Sequence, residues 1–251
     1  MDTIKLVLAC IRPDIRSIGP CARPNAHKGL YYGHWSLRIL ALTCLLLFLS
    51  PISPVRAANS LGPLDLTEDE VRTKEVGVGS LVADAIRTSA KTDAAFLPAA
   101  VFKKVSIPAG DVAADALNAA LVFADDTITI LELHGSDLRA ALERSVSIFP
   151  QKNLGFLQVS GIQLLFDPSS PAGKRLTSVK VAGKPIKDDA TYRIATSNSL
   201  ANGALGYWRI WKKEQIRQKT NVTLGKAVES FLTTTKALDY QKADRIVARG
   251  Q

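Results

Sequence analysis

The chain has 251 residues, 47% hydrophobic and 22% charged, with a formal net charge of +9. Residues 1–57 hold seven Lys/Arg and two Asp/Glu, which leaves 25 basic and 21 acidic residues beyond them, too even and too dispersed for the clustered basic face of a nucleic-acid binder. All three cysteines, Cys10, Cys21 and Cys44, fall in that same N-terminal part, so a disulfide framework, a Cys-ligated metal and a thiol nucleophile are excluded from the rest.

In chain order, Lys28 and Arg38 precede an apolar run at residues 39–49. Pro51 and Pro54 follow it, then Val55, Arg56, Ala57 and Ala58. A basic flank, a short apolar centre and a small-residue exit describe a secretory signal peptide over residues 1–57, here with a long N-terminal extension. The run is too short for a bilayer span, which takes about 20 residues. Cleavage is expected near Ala57 or Ala58, with no membrane contact afterwards and a periplasmic or secreted location. An uncleaved N-terminal anchor is the alternative. Residues 58–70, with Gly, Pro and acidic side chains, are expected to form a surface arm before a domain at 71–251.

The helical period begins at Gly79: Leu81, Val82, Ala85 and Ile86 share one face, with Ser80 as the N-cap. Residues 94–97 are a short apolar run, expected as a buried strand, and residues 113–121 a small helix. Residues 127–133 alternate and are rich in β-branched types, which predicts a strand. Leu138, Ala141, Leu142 and Val146 restore the helical spacing. Strands are expected at 161–166, 176–181, 192–196 and 245–248, with a turn at Ala182 and Gly183 and a helix at 224–232. Interleaved strands and helices give the α/β class, with one mixed sheet in a single domain of about 194 residues.

The ordered signatures carry more than their parts. They run from Glu75-Val-Gly-Val-Gly79 and Ile107-Pro-Ala-Gly-Asp111 through residues 127–135 to Phe156-Leu-Gln-Val-Ser-Gly161. Tyr192-Arg-Ile-Ala-Thr196 and Gly203-Ala-Leu-Gly-Tyr207 complete the series. Together they resemble the C-terminal, substrate-binding domain of the 5′-nucleotidase and UDP-sugar hydrolase family, from about residue 66 to 248. The resemblance implies that domain's α/β fold and a grip on a nucleotide-like small ligand. In the family a preceding metallophosphatase domain cuts the phosphate, and a two-metal site of that kind needs several His and Asp side chains converging. None of its motifs occurs here. His27 and His34 lie in the leader, leaving His134, whose expected role is structural. No catalytic residue, metal ligand or cofactor is therefore expected, and a separate metallophosphatase chain is the implied partner. A hydrolase subunit and a protein-interaction domain that has lost its ligand are the rival readings.

Compared position by position, the binding contacts are altered. Where the resemblance implies an arginine, this chain has Lys104, which could attract an anion as a point charge or be one of two exposed loop lysines. Where it implies an aromatic plate and an asparagine, the chain offers Phe123, displaced by one residue, and Asp126, which can only accept hydrogen bonds. Phe123 either stacks a base or joins the core. The second plate maps to Ser199, followed by Asn202. Gly203, Gly206 and Tyr207 remain, although the turn alone requires such glycines. Trp208 and Trp211 either replace the lost aromatic surface or cap the core.

Overall fold

The structure is a computed structural model, and it describes residues 60–61, 63–235, 239–240 and 244–250. The expected signal peptide lies outside the described residues. Thirteen strands are assigned among them, in two principal sheets and two strand pairs.

The segment expected as a surface arm is instead built into the fold. β1 (Ser60–Leu61) pairs antiparallel with β5 (Gly110–Asp111), and β2 (Leu64–Leu66) with β4 (Val105–Ile107). Leu64 and Leu66 are 3% and 1% exposed because they alternate inward on β2. A short helix α1 (Glu68–Val71) follows, capped by the Thr67 hydroxyl accepting from the Glu70 amide.

Helix α2 (Gly77–Ala90) begins two residues before the apolar period does. Ser80 is not its cap. The Ser80 hydroxyl instead donates to the buried Glu75 carboxylate at 2.6 Å, while the orphan amide of Val76 donates to Gln158 Oε1 at 2.9 Å. α2 packs on β3 (Ala94–Pro98), β7 (Leu157–Ser160) and α6 (Leu224–Thr234). The apolar run of β3 is buried at every position, as a strand covered on both faces must be.

The larger sheet has the order β12-β6-β11-β3-β7, with β6 (Thr127–His134), β11 (Thr191–Ser197) and β12 (Ile216–Thr223). Only β11 and β3 are parallel; the other pairings are antiparallel. The smaller sheet runs β10-β9-β8-β13, comprising β8 (Ile162–Phe166), β9 (Leu176–Val181), β10 (Lys184–Pro185) and β13 (Ile246–Ala248). The mixed α/β class holds, with the strands divided over two principal sheets. Helix α4 (Gly135–Val146) contacts both, through β6 and β9, and its Leu138, Ala141, Leu142 and Val146 are fully buried. The expected helix at 113–121 shortens to α3 (Ala114–Asn118).

Candidate functional site

The C-terminal ends of the parallel strands β3 and β11 define one rim of the larger sheet. Register places Pro98 opposite Leu157 and Ser197 opposite Ile128, so the starts of β6 and β7 lie at the same rim. Loops 99–104, 121–126 and 153–156 and the one-turn helix α5 (Asn198–Ala201) therefore gather there. Backbone bonds tie them together: Ala100 N–H donates to Leu154, Val122 N–H to Val101 and Lys103 N–H to Ala120. In open α/β sheets, ligands favour the crevice at the carboxyl ends of strands.

Asp126 braces this rim. Its Oδ1 accepts from Thr127 N–H at 2.8 Å, its Oδ2 from Ser199 N–H at 3.2 Å, and its carbonyl from Leu224 N–H at 2.9 Å. Both carboxylate oxygens thus already hold backbone amides, which makes Asp126 a brace between the 121–126 loop and α5. Ser199 on α5 and Asn202 just after it are exposed, with Asn202 Nδ2 donating to Asn198 O at 2.7 Å. Phe123 projects outward at 57% exposure and so does not join the core. Lys104 is exposed on the adjoining loop.

After α5 the chain makes a strained turn. Gly203, Leu205 and Gly206 have φ of 92°, 57° and 80°. Glycine takes such angles without penalty, whereas Leu205 does not. Arg144 holds this turn: its Nε donates to Leu205 O at 3.2 Å, its Nη2 donates to the same oxygen, and its guanidinium lies 5.3 Å above the Tyr207 ring.

Tyr207 must be removed from the ligand-facing set. It is completely buried, its hydroxyl donates to Gly155 O at 2.7 Å, and its ring stacks on Trp211 at 5.0 Å between centroids. Burial pushes its phenol well above the ordinary tyrosine range, the charge of Arg144 opposing only in part. Trp211 stacks in turn on Phe96 at 5.8 Å. Trp208 behaves oppositely and is 62% exposed, although a core-capping role was one expectation for it.

Phe123, Asp126, Ser199, Asn202 and Gly203 therefore come together on one rim; Lys104 borders it and Tyr207 lies beneath. Sequence reasoning missed Arg144, which carries no motif because it acts through a turn whose shape only the fold reveals. Two surface clefts lie elsewhere, one of about 470 Å³ lined by Arg139, Glu143 and Arg144, the other of about 320 Å³ lined by Asp84, Arg87 and Arg245. Among the described residues, no three His, Cys, Asp or Glu side chains converge as a metal set.

A family model described as "5′-nucleotidase, C-terminal domain" matches residues 55–212, well over half of the chain. The chain belongs to this family. It is similar to a 5′-nucleotidase of Diplobatis ommata, with 32% identity over 195 residues, covering 70% of this chain and 33% of that protein. It is also similar to an apyrase of Aedes albopictus, with 28% identity over 197 residues, 73% of this chain and 34% of that protein. Among solved structures it resembles the 5′-nucleotidase precursor from Thermus thermophilus, with a TM-score of 0.69 and 27% identity, covering 85% of this chain and 44% of that one. The chain thus spans about a third of the length of these two curated relatives.

Proposed function

We propose that this domain is the ligand-gripping half of a nucleotide-handling hydrolase, non-catalytic by itself, which takes a nucleotide-like small molecule at the rim of its larger sheet. The observation that carries the reading is the exposed Phe123 beside the Asp126–Ser199 brace, at the carboxyl ends of β3 and β11. An outward aromatic ring on a rigid loop can stack a base for roughly 1–3 kcal/mol, and family membership points to nucleotides as the ligand class. A separate metallophosphatase chain would supply hydrolysis, making this chain the partner-dependent subunit of a split enzyme. Export rests on the leader pattern of residues 28–58.

Calorimetric titration of the purified protein with AMP, UMP, adenosine and a sugar nucleotide tests the binding. Measurable affinity for at least one, weakened by Phe123→Ala, is expected, with no phosphate release when divalent metal is added. Metal-dependent turnover by the chain alone would overturn the non-catalytic reading. No binding at millimolar ligand would leave the interaction-domain reading in its place. N-terminal sequencing of the exported chain, expected to begin near Ala58, tests the leader.

A further inference from the structure

The smaller of the two surface clefts, about 320 Å³, opens at the far end of the larger sheet from the rim. Register sets Ser160, the last residue of β7, opposite Ala95 near the start of β3, and Gly161 then leads into β8. Asp84, Arg87, Gly161, Gly183, Asp244 and Arg245 line the cleft. Its volume falls at the small end of the ~300–1,000 Å³ range of small-molecule sites. The turn at Ala182 and Gly183 has positive φ at both residues, the geometry of a tight two-residue hairpin. A Cβ added to Gly183 would meet nothing within 4 Å, so that wall leaves open room.

The charged residues of the cleft divide into two kinds. Arg245 and Asp84 are committed to each other through paired bonds of 2.9 and 2.8 Å, and Glu75 Oε1 lies 3.6 Å from Arg245 Nε. Arg87 and Asp244 are not committed. Arg87 is half-buried, and its Nε donates to Ser160 Oγ at 2.7 Å, which orients the guanidinium. Its two terminal nitrogens meet no acceptor among the described residues. The Asp244 carboxylate is exposed and meets no donor among them. The two residues line one cleft, yet they form no ion pair with each other.

An opposite pair that shares a cleft without closing on itself is complementary to a ligand carrying both charges. The terminal nitrogens of an oriented guanidinium match the two oxygens of a carboxylate, and a carboxylate accepts from an ammonium. Asp84, Glu75 and Asp244 outnumber Arg87 and Arg245, so a dianion such as phosphate is disfavoured.

We infer that this cleft binds a small zwitterion of the α-amino-acid class, with its carboxylate on Arg87 and its ammonium on Asp244. The site is separate from the nucleotide rim and does not depend on it. A bound zwitterion bridges α2 to the segment ahead of β13, alongside the Asp84–Arg245 pair, and so stabilises the folded chain.

Glycine, L-serine and L-glutamine are the probes, with acetate, methylammonium and inorganic phosphate as controls. Each is read by calorimetric titration and by thermal unfolding of the purified protein. At least one amino acid should bind at millimolar concentration and raise the unfolding temperature, with every control at least tenfold weaker. Arg87→Gln and Asp244→Asn should each weaken that amino acid at least tenfold, while Asp244→Glu retains most of the affinity. Asp244→Asn removes no bond among the described residues, so it keeps the test open should Arg87→Gln fail to fold. Failure of all three amino acids to bind would overturn the inference. Acetate binding as tightly as the amino acids, the mark of a simple anion site, or undiminished binding by Asp244→Asn would do the same. AMP binding at the rim, which Phe123→Ala reports, is unaffected by any of these results.

Discussion

Asp84 on α2 and Arg245, just ahead of β13, form a two-pronged ion pair, with Nη1 2.9 Å from Oδ1 and Nη2 2.8 Å from Oδ2. The pair is the hub of a largely buried polar network that opens onto the smaller surface cleft. Tyr240 donates its hydroxyl to Asp84 at 2.8 Å, Ser160 donates to the same carboxylate, and Arg87 donates to Ser160 at 2.7 Å. The buried Glu75 carboxylate accepts the amides of Arg245 and Ile246 at 2.8 and 3.2 Å. The network ties the smaller sheet to α2 and β7. Arg245→Met should destabilise by roughly 3 kcal/mol, because it strands the Asp84 and Glu75 charges inside. Urea unfolding measures this, and a loss below about 0.5 kcal/mol, the usual range for surface substitutions, would show the pair to be peripheral.

The same pair sets an acid limit. Burial raises the Asp84 pKa, but the hydrogen bonds and charge of Arg245, helped by Ser160 and Tyr240, outweigh it and hold the carboxyl below its ordinary value. A depressed folded-state pKa contributes stability above the unfolded value of about 3.9, and that stability is lost as pH falls through the folded value. Wild-type unfolding free energy should therefore drop below about pH 4 more steeply than that of Asp84→Asn. Parallel curves for the two proteins would contradict the linkage.

Gly135 opens α4 where the chain passes the 187–190 loop. A Cβ there would sit 2.1 Å from Lys187 O and 2.8 Å from its carbonyl carbon, both backbone atoms that cannot rotate away. Gly135→Ala should cost about 1–3 kcal/mol as overpacking. The exposed neighbour change Ser136→Ala should cost little, and thermal melts of the two distinguish them.

Gln158 is fully buried and makes three bonds to backbone. Its Oε1 accepts from Val76 N–H at 2.9 Å, and its Nε2 donates to Val71 O at 3.2 Å and Lys74 O at 2.8 Å. Gln158→Leu leaves three backbone groups without partners, so a loss of roughly 3 kcal/mol or more is expected at 1–3 kcal/mol per group. Chemical denaturation reads it directly.

Tyr207→Phe separates architecture from binding. It removes the bond to Gly155 O, at a cost of about 1 kcal/mol. Because the ring is sealed beneath the rim, nucleotide affinity should stay within twofold of wild type. A tenfold loss would place Tyr207 back in the ligand site.

Strong periodicity made much of the core readable in advance. Leu138, Ala141, Leu142 and Val146 marked α4, and the apolar residues at 94–97 marked β3, because tertiary burial there agrees with local pattern. Strand β12 carried no such sign. It is a polar edge strand with two register shifts, and Arg217 and Lys219 face solvent, so neither of its faces shows an apolar alternation. The leading segment misled for a related reason. Leu64 and Leu66 are two apolar residues among Pro, Asp and Glu, and only the partner strand β4 explains their burial. At the rim, the turn glycines were legible as a motif. That Tyr207 faces inward and Trp208 outward was not, because one residue of register through a positive-φ turn decides it.

The network around Arg245 also bears on synthesis. Glu75 and Asp84 leave the ribosome some 160–170 residues before the guanidinium that neutralises them. Until residue 245 arrives, Glu75 ahead of α2 and Asp84 on it lack their cation, and β8 lacks its parallel neighbour β13. A polypeptide released before that point would hold two uncompensated acids inside and an open strand edge outside. Truncated products would thereby be left open to proteases, and completion of the chain becomes a condition of its stability.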